Sequence, residues 1–161
     1  MPIKLPQMSD QEIKNLIETQ SICRMAFIDT QSNQSEVYPY IAPFQYIYND
    51  AFYFHFTDYG KKKRILEKNN NVCISIEQLK EELSEFYFIS IQGTLVEVKD
   101  DETKKAVIRA LVEDARNSFS ENFLSAHGFE KEEGWEAFKP DGNLRIFKLK
   151  ETGERVALKS G

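Results

Sequence analysis

Two extended, aromatic-rich segments divided by a short turn constrain this chain most. Val37 to Tyr48 reads VYPYIAPFQYIY, Asn49-Asp50 interrupts it, and Phe52 to Thr57 reads FYFHFT. Aromatic and β-branched side chains suit a pleated surface, and such runs bounded by Asn and Asp read as strands, so the pair predicts a β-hairpin. Pro39 and Pro43 fall on the same side of the first segment. Proline cannot donate to a ladder, so that strand is expected to bulge or to run along a free edge.

The remaining pattern continues in the same style. Ser9-Asp10-Gln11-Glu12 is a Ser-x-x-Glu capping box, and Ile13, Leu16 and Ile17 follow at helical spacing, predicting a short amphipathic helix to about Gln20. Further strands are predicted at Cys23 to Ile28, Val72 to Ile76, Phe86 to Val98, Leu144 to Leu149 and Arg155 to Leu158. Gly93 inside one of them marks a bulge or a close backbone approach. Glu77 to Glu85 reads as a solvated acidic loop. Asp100-Asp101 caps a helix whose apolar face is read as Ala106, Val107, Ala110, Leu111 and Ala115, and Ser120 opens a shorter one reaching His127-Gly128. Six or seven strands at hairpin-like spacing with a few helices define an α+β protein, most simply a small, mainly antiparallel barrel with peripheral helices.

A chain of 161 residues is long enough to bury one core without disulfides or metal, so a single domain over 1–161 is expected. Cys23 and Cys73 each sit in an apolar run and read as buried small hydrophobes in a reducing compartment. The start MPIKLPQMSD lacks an apolar h-region and no run is long enough to cross a bilayer, so a soluble, cytoplasmic protein without a membrane partner is expected. A net charge of −5 with only local cations argues against nucleic acid as a partner. Two histidines without matched partners argue against a zinc site, and no metal is expected.

One local rule is broken. Lys61-Lys62-Lys63-Arg64 follow Gly60 where a helix ending at Ile65, Leu66 and Asn69 begins, although a helix N-terminus favours acids in its first turn. A strand, a short glycine loop and a helix N-terminus together make an anion site, and lysines there deepen it. Such a breach of local preference is characteristic of functional sites. The alternative is a solvated basic patch. P-loop and G-x-G-x-x-G spacings are both absent, which argues against a nucleotide triphosphatase or a Rossmann enzyme.

The run Phe54-His55-Phe56-Thr57-Asp58-Tyr59-Gly60-Lys61-Lys62, followed by Leu66, Asn69 and Val72, resembles the phosphate-binding segment of the pyridoxamine 5'-phosphate oxidase-like flavoproteins. The nitroimidazole-resistance branch, with its His-x-Ala-x-x-Gly-x-Lys form, is the nearest match, Thr57 standing in place of Ala. The Pro-x-x-x-Pro strand, Ile91-Gln92-Gly93-Thr94 with its following Asp-Asp-Glu helix, and the C-terminal strand extend the likeness over most of the chain. The resemblance implies a split β-barrel homodimer with FMN at the subunit interface. It implies that Lys62 contacts the phosphate, with Lys61 or Lys63 as companion and the Thr57 hydroxyl as a further donor. The ring system would lie along the strand Tyr40 to Gln45, chiefly at Tyr40, Ile41, Ala42 and Pro43, and beside His55 and Phe56, with Trp135 and Arg145 reaching it from the other subunit.

Of the Arg-x-His-x-Arg type segment that grips pyridoxal in the oxidases, only Arg145 remains in Pro140-Asp141-Gly142-Asn143-Leu144-Arg145. The resemblance therefore points to a divergent flavin binder, an oxidoreductase passing electrons from a reduced donor to a small acceptor, and away from pyridoxamine phosphate oxidation. A haem-binding or haem-degrading split barrel, or a non-catalytic flavin or ligand carrier, are the alternatives. No protein nucleophile or acid–base pair stands out, which suits a flavin protein, because the cofactor carries the redox chemistry.

Overall fold

A computed structural model describes residues 4–30, 36–118 and 144–161. Helix α1, Asp10–Thr19, starts at the predicted capping box: Glu12 N–H donates to Ser9 Oγ at 3.2 Å and Ser9 N–H to Glu12 Oε1 at 3.0 Å. Its apolar stripe buries Leu16 and Ile17. Strand β1, Ile22–Asp29, alternates so that Cys23, Met25, Phe27 and Asp29 are buried. Strand β2, Tyr38–Gln45, pairs antiparallel with it along its whole length, from Ile22 opposite Gln45 to Asp29 opposite Tyr38.

The long extended segment is in fact two strands. Tyr46 leaves the ladder, its N–H donating to Ser21 O at 3.0 Å and its hydroxyl to Ile17 O at 2.6 Å. Beyond it β3, Ile47–Tyr48, pairs instead with β4, Phe52–Thr57, so the predicted hairpin is real but short. Helix α2, Lys61–Lys68, leads to β5, Asn71–Leu79, and then to β6, Phe86–Glu97, in nine consecutive pairs from Asn71–Thr94 to Leu79–Phe86. The acidic loop expected from Glu77 is shorter than expected, because Glu77 continues the strand and takes Arg24 as an ion-pair partner at 3.0 Å. Helix α3, Asp101–Ser118, is capped by Asp100, whose Oδ2 accepts from Thr103 N–H at 2.8 Å. Its buried face is Val107, Ile108, Leu111 and Ala115, with Ala106 exposed, a rotation of the expected stripe by one position that lets Ile108 pack on Ile146. The chain closes with β7, Leu144–Glu151, and β8, Val156–Lys159.

The strands form one curled antiparallel sheet in the order β2-β1-β5-β6-β7-β4-β3, with β8 on β6. This is an α+β split barrel, with eight strands among the described residues where the spacing predicts six or seven, because of the break at Tyr46. Strand β2 ends the sheet, which is where Pro39 and Pro43 can be accommodated. The sheet curls until β2 and β4 touch without pairing, and that seam is the split. Met25, Phe27, Phe52, Phe54, Ile74, Ile76 and Ile89 fill the interior at zero exposure. Each such side chain contributes on the order of 1.5–3 kcal/mol through burial.

Gly93 answers to the second of its two expected reasons. A Cβ there would lie 2.5 Å from the backbone oxygen of Lys150 and 2.7 Å from Leu149 Cδ1, in β7. The obstructing atom is main chain and cannot rotate away, so Gly93→Val should destabilise the fold by about 1–3 kcal/mol through overpacking. Urea unfolding measures this, and an unchanged midpoint would contradict the close approach.

Candidate functional site

Strand β4 ends at Thr57, and the loop Asp58-Tyr59-Gly60 turns into α2. Gly60 has φ +96°, a conformation that a side chain disfavours, and it leaves the helix start without a side-chain cap. The first turn carries no acid. Its leading N–H groups have no acceptor within the helix, so they and the dipole present positive potential at this point.

Helical geometry then turns the successive lysines in different directions. Lys61 Nζ lies 4.6 Å from the centre of the Tyr40 ring and 3.8 Å from Asp29 Oδ2. Lys62 Nζ lies 4.7 Å from the centre of the Phe44 ring, and no carboxylate pairs with it among the described residues. Burial pushes its ammonium below the ordinary lysine value. Lys63 is turned away onto Asp58 at 3.3 Å and Glu67 at 3.4 Å, and Asp58 raises its pKa. Lys61 and Lys63 thus meet acids of this chain, while Lys62 is set against an aromatic ring.

Lys61 and Lys62 stand at the end of a seam pocket of about 530 Å³ between β2 and β4. Tyr40, Pro43, His55, Phe56 and Thr57 also line it, so it gathers seven of the twelve residues singled out in the sequence. His55 is buried. The Thr57 hydroxyl donates to Tyr59 O at 3.0 Å, which ties the loop to the strand end. Ala42 packs into the core, and Ile41 projects outward at 64% exposure.

Lys63 and Arg145 belong to a second pocket of about 340 Å³, which Phe56 and Thr57 also border. Arg145 forks onto Glu97, with Nε donating to Oε1 at 2.9 Å and Nη2 to Oε2 at 2.8 Å, and Nη1 lies 3.5 Å from Asp58. Trp135, like the Ser120 to Gly128 helix and His127, falls outside the described residues. Phe44 and Gln45, at the end of the strand along which the resemblance lays the ring, also line the pocket, as does Ile22, which the sequence did not point to. Gln45 is oriented by α3, its Nε2 donating to Leu111 O at 2.9 Å and to Asp114 Oδ2 at 3.1 Å.

The fork has a consequence for pH. Hydrogen bonds from Arg145 hold the Glu97 carboxyl down from 4.5 to about 2. A depressed carboxylate contributes stability above its unfolded value and loses it as pH falls through the folded one. The stability gap between wild type and Glu97→Gln should therefore be full at neutral pH and shrink from pH 4.5 towards 2. Urea midpoints of both proteins across that window test this, and a gap that does not narrow would contradict the pairing.

Among the described residues no group of three or more His, Cys, Asp or Glu could hold a metal, and no helix is long and apolar enough to cross a membrane. The pocket offers cations and N–H donors at one end and aromatic walls along its length, an arrangement that suits a flat ligand carrying an anion.

Sheet order, seam and cationic helix start together define an α+β split-barrel protein with a pocket that is cationic at one end. The sequence matches the family model described as pyridoxamine 5'-phosphate oxidase over residues 9–137, and the chain belongs to that family of split barrels. No curated protein matches significantly. Among solved structures, an FAD-binding protein from Mesorhizobium loti is similar over 99% of this chain and 100% of its own, at 16% identity and TM-score 0.65. A putative 5-nitroimidazole antibiotic resistance protein from Bacteroides thetaiotaomicron is similar over 97% and 90%, at 20% identity and TM-score 0.61. A heme storage protein from Vibrio cholerae is similar over 92% and 94%, at 16% identity and TM-score 0.64. At these identities the likeness establishes the fold.

Proposed function

We propose that the seam pocket binds FMN and that the protein is an oxidoreductase passing electrons from a reduced donor to a small-molecule acceptor. The observation that carries this reading is Lys62, a half-buried cation with no carboxylate partner among the described residues, at an uncapped helix start that ends an aromatic pocket. A phosphate would satisfy the N–H groups and the unpaired charge together. Lys61 is its companion in the same pocket, and Lys63 lies in the neighbouring one. Tyr40, Phe44, Phe56 and His55 would bound the ring. Bound FMN would supply the electron-transfer chemistry, while these residues position it and limit water.

A homodimer fits this reading. Ile22, Ile28 and Ile41 project outward from the β1–β2 edge at 38–64% exposure, next to the pocket, an apolar surface suited to a second copy. Trp135 and Arg145 would then act from the partner subunit. A haem ligand is the second reading, favoured by the likeness to the Vibrio cholerae protein. The absorption spectrum of the purified protein separates the two. Flavin bands support FMN and a Soret band supports haem. A colourless protein that leaves the fluorescence of added FMN unquenched would sink the flavin reading.

A further inference from the structure

Nucleophilic lysines are made by removing what keeps an ammonium protonated, through desolvation in an apolar pocket or through neighbouring cations. Lys62 meets these conditions. Its amine is half-buried against Phe44, it has no carboxylate partner among the described residues, and it stands at a helix N-terminus between two further lysines. Asp58 and Glu85 act in the opposite direction on Lys63 and Lys80, holding them protonated. Burial lowers the pKa of Lys62. The amine also opens onto space, since the seam pocket of about 530 Å³ accommodates a small carbonyl compound beside it. Lys61 lines the same pocket, and its Nζ lies 3.8 Å from Asp29 and 4.6 Å from the centre of the Tyr40 ring, contacts loose enough for it to turn to an incoming anion.

We propose that Lys62 is a reactive amine that forms a reversible imine with small aldehydes carrying an anionic group, the anion being held by Lys61. The lone pair of neutral Nζ attacks the carbonyl carbon, and a proton passes from nitrogen to the carbonyl oxygen to give a carbinolamine. Loss of water then forms the C=N bond. The step consumes one amine and one aldehyde, releases one water and requires no oxidant or reductant. It goes beyond the flavin reading and does not rest on it, although the two ligands exclude each other at Lys62.

The test uses the full-length protein, free of visible chromophore, incubated with glycolaldehyde phosphate or with glycolaldehyde in the presence of sodium cyanoborohydride. The reagent reduces an imine to a stable secondary amine, which peptide mass mapping locates. Lys62 should be labelled several-fold more than the exposed Lys105 and Lys148. The phosphorylated aldehyde should label it faster than the uncharged one, and inorganic phosphate should suppress the label. Even labelling across the lysines would overturn the proposal, as would equal labelling by both aldehydes with no protection by phosphate. Because the readout is mass and the competitor is phosphate, a failure of FMN to bind leaves this test intact. A protein that binds FMN yet labels evenly overturns the imine proposal alone.

Discussion

Replacing Lys62 with alanine is expected to weaken FMN binding by roughly ten- to a hundredfold, the equivalent of about 1.5–3 kcal/mol for one charge-assisted hydrogen bond. The lysine is set against the Phe44 ring in a half-dry pocket, without a carboxylate partner among the described residues. Its attraction for a phosphate is therefore not spent on an acid of this chain and is screened less than that of an exposed cation. Lys63→Ala is the informative contrast. That side chain is committed to Asp58 and Glu67 and borders the other pocket, so its loss should change affinity little. Titration of each variant with FMN, read by flavin fluorescence, checks both. Equal losses in the two variants would contradict the assignment of Lys62.

Phe56→Ala should cost about 3–4 kcal/mol of stability, within the range for truncating a buried phenylalanine. The ring is 4% exposed, with centroids 5.0 Å from Phe44 and from Phe147 and 6.3 Å from Phe27. It therefore joins β1, β2, β4 and β7 across the seam that no hydrogen-bond ladder closes. Strands on either side are held by their own ladders and cannot collapse into the void. Water can reach it from the two pockets that Phe56 borders, which keeps the cost below the upper end of the range. Against a typical total of about 5–15 kcal/mol this is a large fraction. Urea unfolding reads it directly, and a loss below about 1 kcal/mol would mean that the seam is not packed through this ring.

The parts of the fold legible in the sequence are those set by near neighbours. The Ser9–Glu12 capping box, Asp100 at the start of α3 and the Asn49-Asp50 turn each depend on residues within a few positions. Pro39 and Pro43 pointed to a bulge or a free edge because a proline's missing donor is a property of the residue itself, and β2 does end the sheet. The break at Tyr46 was not legible, since it depends on Ser21 and Ile17, more than twenty positions away. The one-position rotation of the α3 face likewise depends on Ile146 across the structure.

The candidate site divides in the same way. The misplaced cations of α2 pointed to an anion site from local rules alone, and the Lys63–Glu67 pair is an ordinary i,i+4 contact. Which lysine accompanies Lys62 could not be read locally. Lys61 lines the seam pocket and has Asp29 of β1 at 3.8 Å, whereas Lys63 pairs with Asp58 and Glu67 and borders the other pocket. The commitment of Arg145 to Glu97, forty-eight positions earlier, is likewise a product of strand order.

The central claim is that the cationic end of the seam pocket holds the phosphate of a flavin. The most direct measurement is a pair of fluorescence titrations of the wild-type protein, one with FMN and one with riboflavin, which has the same ring and no phosphate. FMN should bind at least ten times more tightly than riboflavin, about 1.4 kcal/mol or more, and should lose that advantage as salt is raised. Equal affinity for the two, or no quenching of either, would contradict it.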